Sequence, residues 1–342
     1  MKILFNTALR RNLVNIRIYH WLETEMAKHA DCKYWGPKRK GYRNMPVEKV
    51  VKHLYGDDSP DWVIATPYMH SEEKRWLGYK CPKKRDWKIA VFTDDLHANN
   101  TLSAGAEGYA DALNRAGFDA VLMWYTQLGY AKRPYHEIDP NYYLKNLRAK
   151  VWHCPKFIHA EILKPSRETK KYDAVLLGAV ESFQYPLRNA IWNHLPKMAK
   201  KRGWRILLKG RPPGPSNIRD ISTLKKQGHI VGDVYTEALA RSKIFIFGSS
   251  IYKYPLLKYF EAWGCGTCIL ADKPYGANRI HMVPQQNFVE INLNNWQEKL
   301  TYYLKHDGER ETIAKNGYET VMKHHTVEVR AKELLRFLEE NQ

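Results

Sequence analysis

Short apolar runs rich in β-branched residues alternate along this chain with amphipathic stretches of helical length. The runs are typical of buried strands, and the stretches between them are typical of helices that cover a sheet. This alternation constrains the fold to the α/β class. The chain has 342 residues, which is long for one such core and comfortable for two domains.

The alternation falls into two series separated by a linker. Strands are predicted at 2–5, 61–65, 88–93, 120–123, 150–152, 172–177, 204–208, 243–247 and 267–271. Helices are predicted at 16–28, 103–116, 185–201, 234–240, 256–264, 295–305, 309–324 and 327–340. Prolines and charges in 154–171 indicate the linker. We therefore expect an N-terminal domain over 1–160, a C-terminal domain over 172–325 and a last segment over 326–342.

The stretch 256–270, LLKYFEAWGCGTCIL, carries the clearest chemical pattern in the sequence. It predicts a helix of about two turns, a Gly-x-Gly stop and a short apolar strand. The Glu261 carboxylate can accept two hydrogen bonds from a ribose diol, and the helix N-terminus with Lys258 favours phosphate charge. This combination predicts a nucleotide-sugar donor site. The alternative is that Glu261 only stabilises its helix through the macrodipole.

A second candidate phosphate contact follows the first strand of the second series. The strand at 172–177 ends at Gly178, and the next predicted helix carries Arg188. A glycine at a strand end lets the backbone approach a phosphate, which an arginine one turn into the helix can clamp with two hydrogen bonds. An ordinary strand–helix turn with a surface arginine is the alternative.

These motifs resemble those of GT-B glycosyltransferases. Residues 260–270 resemble the FEAxACGxxxL segment of that fold family's C-terminal domain. The runs 172–178 and 185–188 are similar to the start of that domain in spore-maturation-type (glycosyl transferase group 1) enzymes and, more distantly, in phage DNA β-glucosyltransferases. The resemblance implies two Rossmann-like domains facing across a cleft, with the C-terminal helix crossing back to the N-terminal domain.

The same resemblance assigns roles to particular residues of the donor site. It implies that the donor diphosphate contacts the Gly178 turn, Arg188 and Lys258, while Glu261 holds the ribose. It also implies that the backbone around Ile230 and Val231 reads the uracil edge, so that a UDP-sugar is the expected co-substrate. The predicted donor-binding residues are Gly178, Arg188, Ile230, Val231, Leu257, Lys258 and Glu261.

The run 89–97, IAVFTDDLH, predicts a strand that ends in two carboxylates and an imidazole. Sites of α/β proteins lie at strand C-termini, and sugar transfer with inversion needs a base for the acceptor hydroxyl. Asp94 is our candidate for that base, since Phe-Thr-Asp also ends a strand in the phage enzyme. Asp95 would share or bias its proton, and His97 is the rival base or a contact to the donor. Simple capping of the following helix is the alternative.

One departure from the family bears on stereochemistry. Many retaining GT-B enzymes carry a glutamate eight positions before the ribose-binding one, and this chain has Lys253 there. Inversion is therefore favoured over retention.

The net charge of +19, with basic excess in both halves, indicates a polyanionic partner or membrane surface. Lysines and arginines interleaved with aromatic rings suit phosphates and bases, although they also suit a solvated surface. Basic runs occur at 33–49, 74–88 and 200–219. The candidate acceptor- or polyanion-binding residues are Arg10, Arg11, Lys38, Arg39, Lys83, Lys84 and Arg85.

Metal or redox chemistry is not expected to be essential. Cys265 and Cys268 form a Cys-x-x-Cys pair without a second pair at matching spacing, so we predict no metal site and no required cofactor. A divalent metal at Asp94 and Asp95 stays an option. Scattered cysteines favour a reducing compartment, so we expect a cytoplasmic protein (host cytoplasm if viral) or one peripheral to a membrane.

Three functions remain open from the sequence. The first is glycosyl transfer from a UDP-sugar to a glycan, lipid-linked or other glycoconjugate hydroxyl. The second is transfer to hydroxymethylated bases in DNA, which would require the enzyme to expose the target base. The third is a non-catalytic nucleic-acid-binding protein on a GT-B fold. The sequence leaves the oligomeric state open.

Overall fold

The computed structural model describes residues 1–9, 17–66, 80–93, 105–125, 129–130, 136–137, 145–181, 183–212 and 220–342. Its contacts divide into two compact units. The first unit comprises Met1–Arg11, Tyr19–Pro155 and Arg330–Gln342, and the second unit comprises Asn12–Ile18 and Lys156–Val329.

The first unit contains a parallel sheet and a short antiparallel pair. Its strands are β1 (Lys2–Asn6), β2 (Asp31–Trp35), β3 (Trp62–Ala65), β4 (Lys88–Phe92), β5 (Ala120–Met123), β6 (Gly129–Tyr130), β7 (His136–Glu137) and β8 (Lys150–His153). Its helices in chain order are α1 (Arg17–Met26), α2 (Val47–Tyr55) and α3 (Gly105–Ala116).

The six-stranded sheet of the first unit has the order β2-β1-β3-β4-β5-β8, and every pair is parallel. The inner strands β3 and β5 are fully buried and read as continuous apolar runs, as strands covered on both faces do. The chain reverses its direction of winding between β1 and β3. In doubly wound sheets ligands bind at the strand C-termini beside this switch point.

Strand β2 and helix α2 are absent from the sequence-based prediction, which treated 33–49 as a basic surface run. β2 is an edge strand, DCKYW, in which only Trp35 is buried, and so it lacks the apolar run of a central strand. Its aromatic residues nevertheless belong to the core. Trp35 is buried, and Tyr34 stacks on Phe5 with ring centroids 5.6 Å apart.

The last helix completes the first unit. The Trp62 indole donates a hydrogen bond to the Leu338 carbonyl at 3.1 Å, and the Lys88 ammonium donates to the Asn341 carbonyl at 2.6 Å. Leu338 is fully buried. The C-terminal residues are therefore part of this unit's core.

The second unit is a five-stranded parallel sheet with helices. Its strands are β9 (Tyr172–Leu177), β10 (Ile206–Lys209), β11 (Ser242–Ile246), β12 (Cys268–Ala271) and β13 (Val289–Glu290). Its helices are α4 (Pro186–Arg202), α5 (Ile221–Lys226), α6 (Asp233–Ala240), α7 (Leu257–Gly264), α8 (Trp296–Lys305), α9 (Asp307–His324) and the start of α10 (Val327–Glu339), with a 3-10 turn at Ala277–Ile280.

The strand order β10-β9-β11-β12-β13 repeats the winding of the first unit. The switch point of this sheet lies between β9 and β11. The apolar faces of α4, α8 and α9 pack on the sheet in one cluster that includes Ile191, Leu195 and Leu300. In sheets wound in this way the ligand-binding crevice is expected at the C-terminal ends of the strands at the switch point, here β9 and β11.

The first half of the predicted linker, together with Leu163, is packed structure. From Lys156 onward its residues belong to the second unit, and Ile158 and Leu163 are fully buried. The Ile158 amide donates to the His325 carbonyl at 2.9 Å, which ties this segment to the chain just before α10. The structure differs from the predicted linker because the prediction considered only the prolines and charges of this segment and not its apolar residues.

The predicted α/β class is confirmed by the two parallel sheets. Predicted strands of the second unit agree with the observed ones to within two residues. Within the described ranges, no helix combines the length and apolarity that crossing a membrane requires.

Candidate functional site

Arg188 lies across the switch point of the second sheet. It is on the first turn of α4, which begins with Pro186 at a position where a missing amide proton costs nothing. Its guanidinium donates to the Ala179 carbonyl, after β9, at 3.2 Å and to the Gly248 carbonyl, after β11. The side chain thereby bridges the two loops that border the crevice.

The Arg188 guanidinium is buried, and not all of its hydrogen-bond donors have an acceptor within the described residues. The residue is 2% exposed, and its Nη2 atom has no hydrogen-bond partner in the part of the chain that the structure describes. Burial lowers the pKa of Arg188, although an arginine stays charged at any physiological pH. A buried cation with a free donor is costly, and an anionic ligand would satisfy both its charge and its donor.

Gly178 follows β9 and provides space beside this cation. Its φ of +115° is a conformation that L side chains rarely adopt. A Cβ atom placed there would lie 3.0 Å from the Lys258 Nζ atom and 4.0 Å from the Arg188 Nη1 atom. The three predicted phosphate contacts are thus brought together around one glycine.

Lys258 reaches this point from the first turn of α7. Its ammonium donates to the Leu177 carbonyl at 2.8 Å and lies 5.3 Å from the centroid of the Tyr235 ring. Burial and then the nearby Arg188 charge lower the pKa of Lys258 to about 8, against a smaller opposing effect of Glu261. Within the described residues no ion pair involves Lys258, so two cations lie together where an anion with more than one negative charge would be stabilised.

Glu261 lies one turn further along α7 and is only 7% exposed. The Tyr235 hydroxyl, from α6, donates to its Oε2 atom at 2.9 Å. Burial and then Glu261 raise the pKa of Tyr235 well above its usual value, so the phenol remains a donor. Tyr235 was not predicted, because nothing in the sequence marks which residue of α6 faces α7.

The remaining predicted donor-site residues lie at the starts of the same two helices. Half-buried Ile230 and buried Val231 precede Gly232, which caps the N-terminus of α6 with a φ of +62°. Half-buried Leu257 is the first residue of α7, whose N-terminus has no side-chain cap. Backbone donors at these two helix starts are therefore available for polar groups of a ligand.

A buried carboxylate organises the loop between β11 and α7. Asp272, directly after β12, accepts hydrogen bonds from the Ser249 amide and hydroxyl and pairs with the Lys253 ammonium. Its carbonyl accepts from the Tyr259 hydroxyl at 2.7 Å. Lys253 has a φ of +52°, a rare conformation for a lysine. This loop shape is thus held by Asp272, a residue that the sequence analysis missed.

The first unit carries polar side chains at the C-terminal ends of three adjacent strands. Asn6 ends β1, while Thr66 and Thr93 directly follow β3 and β4. All three are buried, and the Asn6 Nδ2 atom and both hydroxyls lack a hydrogen-bond partner in the structure as described. The predicted catalytic residues Asp94, Asp95 and His97 follow Thr93 but lie outside the described residues, as do Arg10 and Arg11.

The other predicted polyanion contacts differ in exposure. Arg39 is paired with Glu23 and donates to the Thr7 carbonyl at 2.8 Å, while Arg85 is paired with Asp119 at 2.6 Å. Both arginine side chains are mostly buried in these contacts. Exposed predicted residues are Lys38, Lys83 and Lys84.

Cys265 and Cys268 are buried in the helix–strand turn and are not bonded to each other. Burial raises the pKa of Cys268 to about 12, which disfavours the thiolate that a metal would need. No cluster of three or more potential metal ligands occurs in the described ranges.

The crevice of the second unit therefore offers a buried arginine, a lysine with a lowered pKa and a carboxylate oriented by a phenol. These groups can neutralise a diphosphate and hold a vicinal diol.

Comparisons with known proteins identify the family and the fold of this chain. A family model described as glycosyl transferase-like matches residues 161–336, which is just over half of the chain. Curated protein sequences give no match.

Several solved structures are similar over the full length at low sequence identity. Sucrose-phosphate synthase from Thermosynechococcus elongatus has a TM-score of 0.66 at 13% identity, covering 99% of this chain and 98% of that chain. An alpha-glucosyltransferase in complex with UDP and a 13-mer DNA containing a HMU base has a TM-score of 0.63 at 13% identity, with 99% of both chains covered. Anabaena HepE in complex with UDP-glucose has a TM-score of 0.60 at 11% identity, with 99% and 100% covered.

Proposed function

Because the chain belongs to the glycosyl transferase-like family and has the GT-B fold, we propose that it transfers a sugar from a UDP-sugar to an acceptor hydroxyl. The single observation that carries the donor assignment is the buried Arg188 guanidinium with a free donor, beside Lys258 and Gly178. Neighbours of the same fold in complex with UDP or UDP-glucose support the choice of nucleotide.

In this proposal each group of the crevice has one task. Arg188 and Lys258 bind the diphosphate and stabilise the charge that develops on it as the sugar leaves. Glu261, oriented by Tyr235, accepts hydrogen bonds from both ribose hydroxyls. The backbone around Ile230 and Val231 binds the uracil edge. The two cations supply the charge neutralisation for which other enzymes use a divalent metal, so we propose that a metal is not essential.

The chemical step that we propose is a direct displacement. The acceptor oxygen forms a bond to the anomeric carbon, the bond from that carbon to the phosphate oxygen breaks, and UDP leaves with the electron pair. Asp94 takes the acceptor proton, Asp95 shares or biases that proton, and His97 is the rival base or a contact to the donor, as the sequence predicts. Inversion is favoured because Lys253 stands where many retaining enzymes have a glutamate, and its ammonium is committed to Asp272. An NMR assignment of the product anomer tests this point, and a retained configuration would reject it.

We propose a glycan or other glycoconjugate hydroxyl as the acceptor, bound by the first unit. The unsatisfied polar atoms of Asn6, Thr66 and Thr93 support this, because they lie at the strand ends where the fold places ligands. DNA is the second candidate acceptor. It is favoured by the net charge of +19 and by the full-length likeness to an alpha-glucosyltransferase that is bound to DNA.

A reducing compartment such as the cytoplasm is the location that we propose. All five cysteines are described and none of them is in a disulfide, as expected where disulfides do not persist.

Ligand-induced stabilisation tests the donor site. UDP and UDP-glucose at 1 mM should raise the melting temperature of the wild type, because a ligand that binds only the folded state stabilises it. Glu261→Ala should weaken UDP binding about 10- to 100-fold, the loss expected for hydrogen bonds to a charged group. Glu237→Ala, at an exposed carboxylate on α6, is the matched control and should bind UDP normally. Equal binding by both variants would reject the ribose assignment.

Turnover separates catalysis from binding. Asp94→Asn should abolish sugar transfer and UDP-sugar hydrolysis while UDP binding persists. Full turnover in this variant would move the base to Asp95 or His97. UDP binding without any turnover in the wild type, tested against glycans and hydroxymethylated DNA, would support a non-catalytic role.

A further inference from the structure

Helix α4 and its flanks form the most one-sided charge distribution in the second unit. Residues 183–219 contain nine lysines and arginines and no aspartate or glutamate. Arg188 belongs to the crevice, but most of the others lie at the far end of the helix. We use the term basic ridge for Lys197, Lys200, Lys201, Arg202 and Arg205.

The basic ridge is an outward-facing surface. The apolar face of α4, with Leu187, Ile191 and Leu195, packs on the sheet. Lys197 is three residues before Lys200 and four before Lys201, so the three ammonium groups share one side of the helix, and all three are exposed. Gly203 ends the helix in a left-handed conformation, and Arg205 follows it at an exposed position.

Within the described residues, no ion pair involves Lys197, Lys200, Lys201 or Arg202. The Arg202 guanidinium instead lies 5.3 Å from the centroid of the Trp204 ring. Arg205 pairs at 3.4 Å with Asp173, which also pairs with Lys243. Cations in the last turn of a helix interact favourably with its dipole, which accounts for Lys200, Lys201 and Arg202. The dipole does not account for five within nine residues, because its effect fades beyond the last turn.

We propose that the basic ridge binds the phosphate backbone of duplex nucleic acid. Side chains three and four apart on a helix lie about 5–6 Å from one another, so several can contact successive phosphates of one strand. A bilayer is disfavoured as the partner, because helices that bind membranes through their interface present an apolar face to the lipid. Here that face is buried against the sheet. The surface requires neither the donor site nor the proposed reaction.

Two matched triple variants test the ridge. The ridge variant is Lys197→Gln/Lys200→Gln/Lys201→Gln. The control variant, Lys305→Gln/Lys315→Gln/Lys323→Gln, removes three exposed lysines from α8 and α9, two of them also in last helical turns. The two variants have equal net charge. Binding to a 20-base-pair fluorescent duplex is measured by anisotropy between 50 and 200 mM KCl, and folding is checked by UDP-induced thermal stabilisation.

The ridge variant should lower the salt slope of log affinity by about 3, roughly 1 for each lost phosphate contact, and should bind at least tenfold more weakly at 100 mM KCl. The control should keep the wild-type slope, and both should respond to UDP like the wild type. Equal losses of duplex affinity in the two variants would mean that only the net charge of the protein matters, and would overturn the proposal. Ridge-dependent binding to vesicles with 30% phosphatidylserine, with no duplex binding, would also overturn it in favour of a membrane.

Discussion

At the residue scale, the orientation of Glu261 depends on one phenol. Tyr235 occupies one carboxylate oxygen and leaves the other available to a ligand. We expect Tyr235→Phe to weaken UDP binding about fivefold, which corresponds to the net value of one hydrogen bond near 1 kcal/mol. Isothermal titration of UDP measures this.

The matched control for Tyr235 is Tyr302→Phe. Tyr302 also donates to a glutamate, Glu309, at 2.9 Å, but at an exposed position in the helical layer. It should leave UDP affinity unchanged. An equal loss of UDP affinity in both variants would show that Tyr235→Phe acts through the fold in general and not through Glu261.

Lys258 gives the donor site a pH dependence. Its pKa of about 8 in the free protein means that the ammonium is present below pH 7 and is lost as the pH rises through 8. A bound diphosphate favours the charged form, so UDP-glucose affinity should be flat from pH 6 to 7. It should then fall by up to tenfold per pH unit above 8, because binding must take up a proton.

Lys258→Arg distinguishes this origin from other titrations, because arginine keeps its charge over the whole range. Its affinity profile should stay flat to pH 9.5 when followed by titration calorimetry. A wild-type profile that is also flat would contradict the lowered pKa.

Single residues also show what the sequence could and could not predict. Glu261 and Lys258 are recognisable because their chemistry and spacing on one helix are local. Tyr235 and Asp272 are not, because each acquires its role from a side chain on another element. Long-range packing decides such partnerships.

At the scale of elements, the loop before α7 depends on Asp272. Asp272→Asn removes the charge that holds Lys253 and one acceptor for Ser249. We expect it to cost about 1–3 kcal/mol in the free energy of unfolding, the range for hydrogen bonds to a buried charged group. UDP affinity should fall as well, since α7 begins at the end of this loop.

Urea unfolding and UDP titration measure these two effects. The neighbouring Lys273→Ala, at an exposed position, is the control and should change neither quantity. Lys253→Arg should keep most of the wild-type affinity because it retains the ion pair. Wild-type behaviour of Asp272→Asn would show that the loop holds its shape without this carboxylate.

Burial explains which elements were predictable. Central strands such as β9 and β11 are almost entirely buried and have unmistakable apolar sequences. The edge strand β2 is polar and half-exposed, and α2 follows it within a run of charges. Edge elements pack on one side only, so their sequences show less of the apolar pattern by which strands and helices are predicted.

At the scale of the whole molecule, the fold class and the family resemblance were predictable because they rest on patterns repeated along the chain. The family match and the full-length structural likenesses confirm both. The packing of 154–171 was not predictable from its prolines and charges, because only the complete second unit provides the surface that buries Ile158 and Leu163.

Leu338 tests how strongly the last helix stabilises the first unit. Leu338→Ala should cost about 2–5 kcal/mol in the free energy of unfolding, because it opens a cavity at a fully buried position. Lys332→Ala, exposed on the same helix, is the control. Urea denaturation followed by the fluorescence of Trp62 and its neighbours measures the difference. A cost below 1 kcal/mol would mean that the helix contributes little to this core.

The inclusion of Arg330–Gln342 in the first unit has a consequence for biosynthesis. A ribosome releases the chain from its N-terminus, so the six strands of the first sheet emerge long before the helix that covers Trp62. Nearly all residues of the second unit lie in the sequence before that helix, and they leave the exit tunnel before it does. We therefore expect the nascent second unit to acquire protease resistance first, and the N-terminal sheet to become resistant only once Arg330–Gln342 has left the exit tunnel.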